Sequence, residues 1–274
     1  MKKIIIALDG EHFPQGAFEF AKYLNLQAPV LLAGVFLSPV DYSKVLAFSG
    51  VDGVTLLPEW LTQTEDEELV NKNILLFRDA CEKEGISYRV HKDNNLMALS
   101  SLLEESRFAD MLLVSSELFF RNAGRQPNIY LEEVLKKSEC PVMLIPEKFE
   151  APRQLVLTYD GSESSVFAIK QFAYLLPELC EQECMLLSIS GHAEDSIPDY
   201  GMATELLARH YPQLQLQHLV MNNKTDFVNW MKGRANSYII MGSFSRSLFS
   251  ELFRKSFAAA VIRDIPMPIF ISHK

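Results

Sequence analysis

Apolar residues along this chain fall into short unbroken runs, separated by longer stretches in which they recur at helical spacing. The run Lys3 to Leu8, rich in isoleucine and closed by Asp9-Gly10, predicts a strand buried on both faces. From Gln15 to Leu26 the residues Ala17, Phe18, Ala21, Tyr23 and Leu24 sit at helical spacing, and Val30 to Leu37 reads as a second strand. Strand, helix, strand implies a parallel pair, because only a crossover connection joins parallel neighbours. Between Ser38 and Glu68 lies a long connection carrying Pro39, Gly50, Gly53 and Pro58, of the kind that decorates the carboxyl edge of an α/β sheet. The spacing then predicts a helix over Glu67 to Glu84 ended by Gly85, a strand over Ser87 to His91, and a helix over Leu96 to Ser106. A strand over Met111 to Ser115, a polar helix around Tyr130 to Lys137 and a fifth strand over Pro141 to Ile145 follow, and Pro146 marks the end of the unit.

The second half restarts the pattern. Leu155 to Tyr159 is again an aliphatic run, and Asp160-Gly161 again closes it. Placing Asp9 on Asp160 also places Ala17 on Ala168, Tyr23 on Tyr174 and Leu24 on Leu175 without a gap. A second register places Met111 to Ser115 on Tyr238 to Gly242 and Cys140 to Leu144 on Met267 to Ile271, again without a gap. The two registers differ because the first half carries the longer edge connection. The chain is therefore an internal repeat of a five-strand α/β unit, with expected domains at residues 1–148 and 149–274. A proline beside each fifth strand, Pro141 and Pro268, predicts an edge position, where a missing N–H costs nothing.

Composition narrows the class of protein. The 274 residues suit two domains of ordinary size, and 48% hydrophobic with 22% charged residues excludes disorder. A net charge of −9 argues against a general nucleic-acid binder, which needs a basic face to neutralise phosphates. The opening MKKIIIALDG meets Asp9 too early for a signal-peptide core, and no run is long enough to span a membrane, so the cytoplasm is the expected location. Four scattered cysteines do not make a disulfide scaffold. Cys180 and Cys184 are spaced to face one another on a helix as metal ligands, but no second Cys/His pair completes a site, and no metal is expected.

These residues resemble the universal stress protein family, over nearly the whole chain, as two tandem copies. The resemblance rests on KKIIIALDG and RQLVLTYDG, on the FADMLLVSS and NSYIIMGS strands, and on the ECPVMLI and MPIFI endings. It implies a doubly wound, Rossmann-like parallel sheet in each half, and two units paired through their fifth strands as an intramolecular pseudo-dimer. Many members of the family bind ATP through Gly, two residues, Gly, nine residues, then Gly with Ser or Thr. The glycines let backbone N–H groups approach phosphate at a helix start.

Mapped onto the second half, that pattern falls on Gly242, Ser245, Lys255 and Ser256, following Met241, so the first glycine and the last serine remain. Asp160, with Gly161 beside it, matches the acidic residue that contributes to the adenosine end of the family's site. In the first half the same offsets give Asp9, Ser115, Leu118, Asn128 and Ile129, so every glycine is replaced. The resemblance therefore makes ATP a candidate ligand of the second half and a poor one for the first. Lys255 stands where backbone approach matters most, and Leu248, Phe249, Leu252, Phe253 and Phe257 form a stripe at helical spacing that would close the pocket. Asp9 and Asp160 are equally suited to a turn or helix cap.

No GxSxG elbow, HExxH or Walker lysine motif is present, and the six histidines show no metal spacing. His12 alone follows closely on a strand end that could hold a site. The sequence favours a non-enzymatic stress-response protein that binds a small ligand or a protein partner, with no nucleic acid and no membrane. The alternative is a nucleotide-binding sensor or weak ATPase using the second half. A homodimer of the whole chain stays open.

Overall fold

The structure is a computed structural model in which residues 1–8, 12–37, 65–93, 98–117, 129–192, 194–221, 224–234, 236–242 and 265–272 are described. The first half comprises β1 (Lys2–Leu8), α1 (Gln15–Gln27), β2 (Val30–Leu37), α2 (Glu65–Lys83), β3 (Ser87–Asp93), α3 (Ala98–Ser106), β4 (Met111–Ser115), α4 (Ile129–Lys137) and β5 (Val142–Ile145). The second comprises β6 (Gln154–Thr158), α5 (Glu163–Leu175), a 3-10 turn (Pro177–Glu181), β7 (Glu183–Ser190), α6 (Tyr200–Leu207), β8 (Leu214–Val220), α7 (Lys224–Lys232), β9 (Ser237–Gly242) and β10 (Ile269–Ser272).

The ten strands among the described residues form one sheet in the order β3-β2-β1-β4-β5-β10-β9-β6-β7-β8. The order reads the same from either end once the halves are superposed. Every pairing is parallel except the central one, where β5 and β10 run antiparallel with Met143 opposite Phe270. The expected fold class, two doubly wound parallel units joined through their fifth strands, is what the strands adopt. The reason lies in the strand sequences. Residues of β1 alternate between two fully covered faces, with Ile4, Ile6 and Leu8 on one and Ile5 and Ala7 on the other. The first face is covered by α1, α2, α5 and α6, and the second by α3, α4 and α7. A strand covered on both sides has no polar face to keep, so its sequence is apolar throughout.

The edge position predicted for the fifth strands needs correction. Each is the edge of its own unit, but in the whole sheet β5 lies between β4 and β10, and β10 between β5 and β9. The prolines are tolerated because they sit one residue before the strands and contribute carbonyls alone. Pro141 O accepts from Leu112 N at 2.9 Å, and Pro268 O accepts from Ile239 N at 3.0 Å.

Aromatic side chains bind the two halves together beyond the β5–β10 ladder. Phe20 of α1 packs on Phe149 at 5.7 Å and on Tyr238 of β9 at 6.2 Å, centroid to centroid. Tyr238, fully buried, donates its hydroxyl proton to Glu150 O. Within the second half, Phe172 of α5 meets Phe270 of β10 edge to face at 5.2 Å.

Candidate functional site

In a doubly wound sheet a ligand site forms at the carboxyl end where strand order reverses, which here is the crevice between β6 and β9. Four of the residues expected there are described, and they come together. Thr158, at the end of β6, donates to Ile240 O across the ladder at 3.0 Å and holds the two strand ends in register. Asp160 follows, half-buried, and its Oδ1 accepts from Ser162 N at 2.9 Å. Ser162 in turn caps α5, accepting from Ser165 N at 3.2 Å. One half of the Asp160 carboxylate is thus engaged in shaping the strand-to-helix turn, as the turn or cap reading expects.

Gly161 and Gly242 owe their small size to close packing. Gly161 has φ +77°, the left-handed region, and a Cβ on it would lie 2.7 Å from Pro198 Cβ. A Cβ on Gly242 would lie 2.5 Å from the carbonyl carbon of Ser164 and 2.7 Å from Ser165 N, inside the first turn of α5. Strand β9 therefore presses directly on that helix, and only glycine permits the approach. Met241 beside it is buried. Burial first, and then the Asp199 and Asp160 carboxylates, raises the Tyr159 phenol above its ordinary pKa, so it stays protonated beside two acidic groups.

The corresponding place in the first half is occupied by the chain's own carboxylates. Ser115, the counterpart of Gly242, donates to Glu117 Oε2 at 3.0 Å, and Ser116 donates to the same oxygen at 3.1 Å. Glu117 Oε1 accepts from Glu147 N at 3.0 Å, and Glu147 Oε1 accepts from Gln15 N, at the start of α1, at 3.2 Å. Among the described residues, the Ser115 and Ser116 hydroxyls and the Glu147 N–H, at the ends of β4 and β5, are thus taken by the Glu117 carboxylate. Sequence reasoning passed over Glu117 and Glu147 because the pattern it followed concerns glycines, and Glu147 reaches the place from a separate connection.

Ile129 opens α4. Asp9, Leu118, Asn128, Ser245, Lys255 and Ser256, and with them the stripe from Leu248 to Phe257, lie outside the described residues. The thiol pair is not helical as expected: Cys180 lies in the 3-10 turn and Cys184 opens out of it on β7. All four cysteines are free and buried, and among the described residues no group of three or more His, Cys, Asp or Glu could hold a metal ion. The Nδ1 of His218 is buried with no hydrogen-bond partner among the described residues, while Nε2 lies 3.0 Å from Ser190 Oγ. Ser190 donates its own proton to His192 O at 2.7 Å, so the serine is held as an acceptor toward His218. Among the described residues no helix is long and apolar enough to cross a membrane.

The fold, two tandem doubly wound α/β units in one sheet, is similar to that of universal stress proteins, in keeping with the resemblance read from the sequence. Over 98% of its length, and 99% of the relative's, the chain is 22% identical to the universal stress protein Slr1230 of Synechocystis. A universal stress protein from Archaeoglobus fulgidus has a similar structure, with TM-score 0.68 at 14% identity, covering all of this chain and 96% of that one. A putative universal stress protein from Pseudomonas aeruginosa aligns with TM-score 0.57 at 11% identity, over all of this chain and 93% of its own. No family model matches the sequence.

Proposed function

We propose that the chain, as units 1–148 and 149–274, is a cytoplasmic stress-response protein that acts by binding a small ligand or protein partner and not by catalysis, its nucleotide-site features eroded in both units. Likeness over its whole length to a protein named a universal stress protein supports the stress-response part. The observation that carries the rest is the Glu117–Glu147 arrangement. A carboxylate tied to Ser115, Ser116 and Glu147 N puts negative charge where phosphate would otherwise find donors. Four free thiols support a reducing compartment.

A second reading, a nucleotide sensor or weak ATPase using the second unit, is favoured by one fact: Asp160, Gly161, Met241 and Gly242 gather at the sheet's reversal point. Its further members would be Ser245, Lys255 and Ser256. Mass spectrometry of nucleotide released from purified protein, followed by calorimetric titration with ATP and magnesium, separates the two. The expected result is no co-purified nucleotide and no binding at millimolar ATP. Tight binding that Asp160→Ala abolishes would establish the second reading. Lys255→Gly then reports how the site was lost: gain of ATP binding identifies that side chain as the block, and no gain points to closure by the apolar stripe.

A further inference from the structure

The two outer strands of the sheet differ in a way that the family resemblance does not address. Strand β3 carries Arg89, Lys92 and Asp93, charges that discourage a second chain from adding to that edge. Strand β8 carries none. From Tyr211 to Asn223 the sequence has no Asp, Glu, Lys or Arg, in a chain with 22% charged residues. Among the described residues β8 pairs on one side only, with β7, over its full length.

The hydrogen bonds show which backbone groups face outward. Cys184 N donates to Gln213 O, and Met221 N donates to Ser190 O, so the odd-numbered residues of β8 face β7. Leu214, Leu216, His218 and Val220 therefore point their N–H and C=O groups away from the sheet. An antiparallel partner of identical sequence, centred on Gln217, meets this requirement without offset. It sets Leu214 opposite Val220 and Leu216 opposite His218 as the hydrogen-bonded pairs, and Gln217 opposite Gln217 as a close non-bonded pair. Leu214 and Leu216 already pack at the margin of one core layer and Leu219 at the margin of the other, and Val220 is 45% exposed. Pairing extends both layers across the two-fold axis. No like charges oppose one another in this register, despite the net charge of −9.

We propose that β8 is a homodimerisation edge, joining two copies of this chain antiparallel through Gln217 into one continuous sheet. The contact is isologous, as a two-fold dimer requires. The test uses the full chain, followed by light scattering and sedimentation over a range of concentrations. Wild type is expected at twice the 31.1 kDa chain mass. Gln217→Lys and Gln217→Glu each place like charges face to face across the axis and weaken dimerisation by about tenfold. An equimolar mixture of the two variants restores it, because Lys then faces Glu. Far-UV circular dichroism confirms that each variant is folded. A wild-type protein that stays monomeric at the highest concentration overturns the proposal, including the case where β8 serves a different protein's strand. So do variants that dimerise as tightly as wild type, or a mixture that fails to recover.

Discussion

Gly242 is the residue at which family motif and packing compete as explanations. Its backbone lies so close to Ser164 and Ser165 that a methyl group has no room, with or without a bound ligand. Gly242→Ala is therefore expected to cost about 1–3 kcal/mol through forced backbone movement, measured by urea denaturation of nucleotide-free protein. Unchanged stability would return the glycine to a purely ligand-related role. The thiols make a second residue-scale prediction. Burial pushes Cys81 and Cys180 up to about 12 and Cys140 to about 11, from an ordinary value of 9.0. Near pH 10 the folded chain keeps these protons and the unfolded chain has lost them, so the native state binds more protons and stability falls as pH rises. The contribution is intact below about pH 9 and drains away toward pH 11–12, so the urea midpoint should drop steadily across that window. In the native state at neutral pH the same thiols should resist alkylation.

Among the elements, α1 and α5 show how one repeat position can be solved twice. In the register that pairs Asp9 with Asp160, α5 begins three residues earlier than α1 does. Ser162 makes that start usable, since its side chain caps Ser165 N and its own N–H is held by Asp160. Helix α1 follows Pro14, which has no capping side chain, and Gln15 N finds Glu147 instead. Ser162→Ala is expected to cost about 1 kcal/mol of stability, read from the thermal unfolding midpoint. A neutral result would mean that Asp160 alone sustains the turn. The turn was legible at Asp160-Gly161, but its capping residue Ser162 was not singled out, and the remote partner was not legible because Gln15 and Glu147 are far apart in sequence.

At the scale of the molecule, the two units share one sheet and both of its core layers. Each layer contains residues from both halves, and in one of them Phe20 of the first half packs on Phe149 and Tyr238 of the second. Phe270 is wholly buried, pairs with Met143 across the antiparallel seam, and touches α5. Its replacement by Ala should cost about 3–5 kcal/mol. Because the seam couples the halves, loss is expected to shift a single cooperative transition in urea rather than split it, with circular dichroism and tryptophan fluorescence moving together. Two separated transitions in the wild type would show that each unit stands on its own.

The inner strands β1, β4, β6 and β9 were readable from sequence because doubly covered strands are apolar without interruption and because the pattern occurs twice, whereas β7 and β8 were implied only by the repeat. The offset between Val142–Ile145 and Ile269–Ser272 even matches the observed strand limits in full. The candidate site was legible only as a pattern of positions around Asp160 and Gly242. Tertiary structure decided what those positions do, because the space around them is filled by residues distant in the chain: Pro198 over Gly161, Ser164 against Gly242, Glu147 beside Glu117. It also decided that Pro141 and Pro268 flank interior strands rather than edges, and that β8, uncharged and paired on one side among the described residues, is an edge. A strand's burial is written in its own residues, but its neighbours are set by the chain's return from elsewhere, and no local pattern encodes that.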